Sequence, residues 1–150
     1  MQTVSSRELV YTALFSLLSN IQIGGGAAFK TATRRLQHFA DIPPESRPAI
    51  YMQHTGETTN PSPRGFPPKI TLEVNVWIYV STDQQPSGPV INPLLDAVEL
   101  ALAPNSAAGG NVQTLGGLVA HAWIEGATQI FEGDLGDDSV AIIPVRVLVS

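Results

Sequence analysis

The stretch Lys69–Ser81, KITLEVNVWIYVS, alternates without a slip. Ile70, Leu72, Val74, Val76, Ile78 and Val80 fall on one face. Thr71, Glu73, Asn75, Trp77 and Tyr79 fall on the other. A period of two in β-branched and aromatic residues is the mark of a strand. One face is wholly apolar and needs a cover. The other is polar at its start and aromatic at its end, so it is half exposed or covered by another copy of the chain. This reads as the central strand of an antiparallel sheet, and the remaining sequence supplies its neighbours.

The cover comes from two amphipathic segments. Over residues 5–20, Val10, Ala13, Leu14, Leu17, Leu18 and Ile21 make one apolar stripe at helical spacing. Ser5 with Glu8 fits a capping box, and Gly24-Gly25-Gly26 ends the helix. Over residues 90–102, Ile91, Leu94, Leu95, Val98 and Leu102 make a second stripe, with Pro89 or Pro93 suited to its first turn.

Other strands are expected at 29–34, 48–55, 118–125 and 140–149. Leu36 and Phe39 read as anchors of a turn between the first two. Pro48 suits the first position of its strand, and Pro144 points to an edge or a bulge. The segments 24–28, 56–68, 82–89 and 103–117 read as loops, and GDLGDD, 133–138, as a turn. The expected fold is α+β: an antiparallel sheet of four to five strands, two helices on one face, and the order α-β-β-β-α-β-β. One domain spans 1–150, with no internal repeat.

Composition narrows the function. The chain has 150 residues, 43% hydrophobic and 14% charged, with a net charge of −5. Roughly 25% charge is usual for a soluble domain. So low a content fits a protein that hides surface in an assembly. The acidic balance argues against an electrostatic nucleic-acid binder. There is no cysteine, so disulfides, thiolate metal sites and cysteine catalysis are excluded. No apolar run reaches the ~18 residues of a membrane span. Arg7 and Glu8 stand just before the N-terminal apolar stretch, which argues against a signal peptide. A soluble protein, intracellular when made, is expected.

Motifs for chemistry are weak. GGGAAFKT has Phe29 where a phosphate loop needs glycine, and it follows a helix, not a strand. His38, His54 and His121 lack metal-ligand spacing. Asp134, Asp137 and Asp138 lack the distal ligand of a calcium loop and read as a solvated turn. Glu73 and Glu125 could pair across the sheet as acid and base, but outward-facing polar residues on strands are the simpler reading. No G-x-S-x-G or H-E-x-x-H occurs. No catalysis, metal or cofactor is therefore expected. The candidate contact residues are the basic pair Arg34 and Arg35, the loop residues Arg64 and Phe66, and the sheet aromatics Trp77, Tyr79 and Trp123, because aromatics and arginine are enriched at interfaces.

Three segments carry a family resemblance: SRELVYTALFSLL (6–18), FKTATRRLQHFADIPPESRPAIYMQHTGE (29–57), and IYVSTDQQPSGPVINPLLDAVELAL (78–102). Together they resemble the tail-terminator, or tail-completion, proteins of long-tailed bacteriophages. The matching positions are packing residues, and no functional residue is carried over. The resemblance implies an α+β fold and a homohexameric ring that caps the tail tube, ends its polymerisation and meets the head-side connector. It places the protein in the virion, at the head-proximal end of the tail, and in the host cytoplasm during assembly. The implied partners are other copies of the chain, the tail-tube protein and the connector protein. DNA would pass through the channel, and acids lining that channel would let it slide. Loops 56–68 and 103–117 would order on docking. Two other readings fit the composition: a head–tail connector or tail-tube subunit of the same particle, and a small ligand-binding enzyme, which needs polar groups converging in a pocket.

Overall fold

In a computed structural model the chain is α+β, with two helices and a mixed sheet. The structure describes residues 6–35, 37, 38, 41–61, 63–66, 68–82, 86, 88–104, 112–135 and 138–149. Ser5, Leu36, Phe39 and Asp137 lie outside them, so the capping box, the two turn anchors and part of the acidic turn do too.

The elements run α1 (Ser6–Ser19), β1 (Gln22–Ile23), β2 (Gly26–Ala27), β3 (Thr31–Thr33), β4 (Ala49–Asn60), β5 (Lys69–Ser81), α2 (Gly88–Ala101), β6 (His121–Ile124), β7 (Gln129–Leu135) and β8 (Asp138–Val149). The main sheet has the order β3-β4-β5-β8-β6, and β7 also pairs with β8. So β8 meets β5 along one edge and β6 and β7, one after the other, along its second edge.

The alternation of β5 is realised as burial. Leu72, Val74, Val76, Ile78 and Val80 are at most 1% exposed. Opposite them, in register, stand Ile50 and Met52 of β4 and Ala141, Ile143, Val145 and Val147 of β8. Val10, Leu14 and Leu18 of α1 and Ile91, Leu94 and Val98 of α2 close over this face in the same core. Each large aliphatic side chain buried here contributes about 1.5–3 kcal/mol. Both helices thus lie on one face of the sheet, with β5 at its centre.

Several expectations are corrected. The sheet is not all antiparallel, since β3 runs parallel to β4, pairing Thr31 with Ala49 and Thr33 with Tyr51. The glycine loop after α1 is a tight hairpin. β1 and β2 pair around Gly24 and Gly25, whose φ angles of 61° and 82° are those of a type I′ turn. β4 does not stop at residue 55. It runs to Asn60 because Glu57–Asn60 find partners on the first residues of β5. A bulge at Thr55 absorbs one residue on the way, and its hydroxyl donates to the Glu73 carbonyl at 3.0 Å. The strand expected at 118–125 is shorter, His121–Ile124. A strand not expected at all, β7, occupies 129–135, so residues 133–135 and 138 of the turn expected at 133–138 are in strands. Pro93 lies inside α2, past its first turn.

Pro144 is neither at an edge nor in a bulge. It sits within β8, paired with Asn75 of β5. Its carbonyl accepts from the Glu125 N–H at 3.1 Å, so its missing donor points to the same side. That side is where β6 has ended at Ile124 and β7 has not begun before Gln129. The proline therefore stands at the mouth of that gap, one residue past the last paired residue of β6, where only the return bond to Glu125 is lost.

Candidate functional site

The second face of the sheet, away from the helices, is unevenly covered. At one end the chain covers it itself. Ile42, Ala49, Tyr51, Tyr79 and Val140 form a small second core. The rings of Tyr51 and Tyr79 meet edge to face, 5.3 Å between centroids. The Tyr79 hydroxyl donates to the Gln37 carbonyl at 3.0 Å. Arg47 is buried beside them and donates to the Ile42 carbonyl at 2.9 Å and the Ser81 hydroxyl at 3.2 Å. Burial pushes the Tyr51 and Tyr79 phenols up from their ordinary value.

Beyond this patch the face is half exposed. Trp77 lies along it, and its indole N–H donates to Gln53 Oε1 at 2.9 Å on the neighbouring strand. Trp123 stacks on His121 two residues away, with centroids 5.1 Å apart and planes at 14°. On β8, Ile142 stands opposite Trp77 and Leu148 opposite His121, each half-buried. Arg146 binds Glu73 on β5 and Glu125 after β6, the latter at 3.1 Å from its Nε. Thr58 also donates to Glu73, at 3.2 Å. The two glutamates are thus brought together, but through an arginine between them. Such a group orders charge on a surface.

The other candidate residues fall elsewhere. Arg34 faces back into its own chain. It grips Glu8 of α1 through both guanidinium nitrogens, at 2.5 and 2.9 Å, and lies 5.7 Å over the Tyr11 ring. This hydrogen bond holds the Glu8 carboxyl below its usual value. The fork ties α1 to the segment after β3. Arg35 is exposed, with its backbone N–H on Thr33 Oγ1. Arg64 and Phe66 sit at the tip of the β4–β5 hairpin, and Phe66 is 70% exposed. Tyr79, at 4%, belongs to the second core. Trp77 and Trp123 share the open face but not a contact.

Two features carried no signal in the sequence reading. One is Gln113, inside a segment read as a loop. Its side chain donates to the Ala101 and Ala103 carbonyls at the end of α2, at 3.3 and 2.8 Å, and its N–H donates to His121 Nδ1 at 3.0 Å. That is a helix C-cap built from a distant residue. The other is a groove of about 510 Å³ between α2 and the β6–β7 edge, lined by Asn92, Leu95, Asp96, Glu99, Ile124, Thr128, Ile130 and Ile143. A four-residue spacing on α2 hints at the former wall, but the latter wall depends on β7.

His38, His54 and His121 lie on three separate parts of the fold. His54 packs against Tyr11 at 4.5 Å on the helix face. Among the described residues, no three His, Asp or Glu side chains converge as metal ligands would. None of the described helices is long and apolar enough to cross a membrane. No protein-family model and no curated protein matches the chain.

Proposed function

We propose that this chain is the ring-forming tail terminator of a long-tailed bacteriophage, a structural protein of the virion without catalytic activity. In this reading, copies of the chain, six to the ring, cap the tail tube, stop its growth and present a surface to the head-side connector. The observation that carries it is the half-exposed second sheet face. Trp77, Trp123, Ile142 and Leu148 lie there in one sheet layer, with a tethered charge group, Glu73–Arg146–Glu125, between the Trp77–Ile142 pair and Leu148. Aromatic rings already held, Trp77 by Gln53 and Trp123 by His121, lose little entropy when a second protein covers them. The family resemblance of the α1, β3–β4 and β5–α2 sequences supports the same reading.

Electron microscopy of the purified protein, with light scattering, tests it. Closed single rings of six subunits are expected. Open-ended stacks would instead make the chain a tube subunit. A monomer that assembles only on a partner would make it a connector. A monomer that binds a small molecule at a defined site would overturn the structural reading altogether.

A further inference from the structure

Two surface features of the chain are complementary to each other and too far apart to meet within one copy. The first is the tip of the β4–β5 hairpin. Arg64 is exposed there and makes no ion pair among the described residues, and Phe66 beside it is 70% exposed. The second is the groove between α2 and the β6–β7 edge. Its floor is apolar, made by Leu95, Ile124, Ile130 and Ile143, and its rim carries Asp96 and Glu99.

Both acids are exposed and lie on one face of α2, three residues apart. Neither has a basic partner among the described residues. Glu99 also stands in the last turn of the helix, the negative end of its dipole, and no basic residue shares that turn. A cation arriving from outside would relieve that arrangement. Leu100, 76% exposed, extends the apolar surface past Glu99.

The two features are separated along and across the sheet. The groove floor at Ile143 is level with Val76 of β5, while the hairpin tip lies beyond Lys69. Those seven positions span about 24 Å at ~3.4 Å per residue. Across the sheet the groove begins on β8, the strand next to β5, and extends to β6 and β7. The hairpin runs outward from the sheet, away from the groove, so its own chain is out of reach.

We propose that the Arg64–Phe66 tip of one copy docks in the Asp96/Glu99 groove of the next. Phe66 covers the Leu95, Ile124 and Ile130 floor, and Arg64 meets the two carboxylates. The contact joins different patches of identical chains. It is therefore head-to-tail, the type that closes a ring when the rotation between copies allows. This inference rests on the ring reading above and names the residues that join its subunits.

Sedimentation velocity over a concentration series tests it on the full chain and its variants. Phe66→Ala and Arg64→Glu change exposed residues and leave the fold intact, which circular dichroism verifies. Each is expected to raise the dissociation constant of the assembly about ten-fold or more, as loss of an aromatic or arginine anchor does. Asp96→Lys with Glu99→Lys is expected to do the same. Combined with Arg64→Glu, that pair is expected to restore most of the affinity, because the charges are then exchanged and not merely removed. Rings that form as in the wild type despite Phe66→Ala and Arg64→Glu would overturn this contact and leave the ring reading standing. So would loss of assembly that the charge exchange fails to restore. A wild-type chain that stays monomeric at every concentration would overturn both.

Discussion

Tyr11 buries its hydroxyl without a hydrogen-bond partner among the described residues. Burial first, and the charge of Glu57 second, push its phenol up to about 12. Unfolded, the phenol ionises near 10. The buried neutral form therefore favours folding fully below pH 10 and less as pH rises toward 12. Tyr51 and Tyr79 shift in the same direction, so stability should fall on the alkaline side from about pH 10. Tyr11→Phe removes an unsatisfied buried polar atom. It should be neutral or stabilise by up to about 1 kcal/mol at pH 7.5, and it should flatten the alkaline fall. Urea denaturation at pH 7.5 and at pH 10.5 checks both. Arg146 offers the opposite case. Arg146→Leu leaves Glu73 and Glu125 facing each other and should cost roughly 1 kcal/mol, since the group is partly exposed. Adding Glu73→Gln should recover part of that loss, and a double-mutant cycle in urea measures it. The carboxylate pair was visible in the sequence, but its arginine was not. A residue 73 positions away enters the group only through the β5–β8 register.

At the scale of elements, β5 and the two helices behave as periodicity predicts, because each buries one full face. β7 does not, and the reason is physical. It is paired along one edge only, and Ile130 and Phe131 stay 45% and 42% exposed. Its described side chains, Gln129, Ile130 and Phe131, are all exposed, and a stretch without a buried partner leaves no alternation to read. β4 was read short for a related reason. Glu57, Thr58 and Thr59 follow a bulge and are exposed, and what keeps them extended is backbone pairing to β5. The Thr55 bulge gives a direct test. Deleting Thr55 brings Gly56 next to His54 and preserves the pairing of Gly56 with Glu73, so the strand should fold with a straight pleat. A loss of about 1 kcal/mol or less is expected by urea denaturation, mainly from the Thr55–Glu73 hydrogen bond. A bulge also increases the local twist. Straightening it re-aims the hairpin tip, so assembly should weaken even though the protomer stays folded. Sedimentation of the deletion variant separates the two effects.

For the whole molecule, the layered arrangement divides the tasks. One face of the sheet is filled by helices and holds the fold together. The other is covered at the end where Gln37, Ile42 and Arg47 lie against it, and its remainder is half-exposed among the described residues. The proposed hairpin-to-groove contact combines an apolar anchor with a charge pair at its exposed rim. Salt screens the pair but not the apolar part. Raising sodium chloride from 0.1 to 1 M should therefore weaken assembly of the wild type several-fold and strengthen that of Arg64→Glu, where the salt screens a repulsion between like charges. Light scattering across that range reads the difference. Equal salt sensitivity in the two proteins would mean that Arg64 contributes no attraction to the contact.

The sequence alone determined the central strand, both helices and the face they share, because burial of a whole face imposes its period on the residues. It also brought Arg64, Phe66, Trp77 and Trp123 to notice by their chemistry. Tertiary structure decided the rest. It turned Arg34 and Tyr79 inward, paired β3 parallel to β4, placed Pro144 at the mouth of a gap, and built the acidic groove from α2 and a strand without periodicity. Those outcomes depend on which distant backbone happens to lie alongside, and pairing through backbone hydrogen bonds writes nothing into the order of side chains.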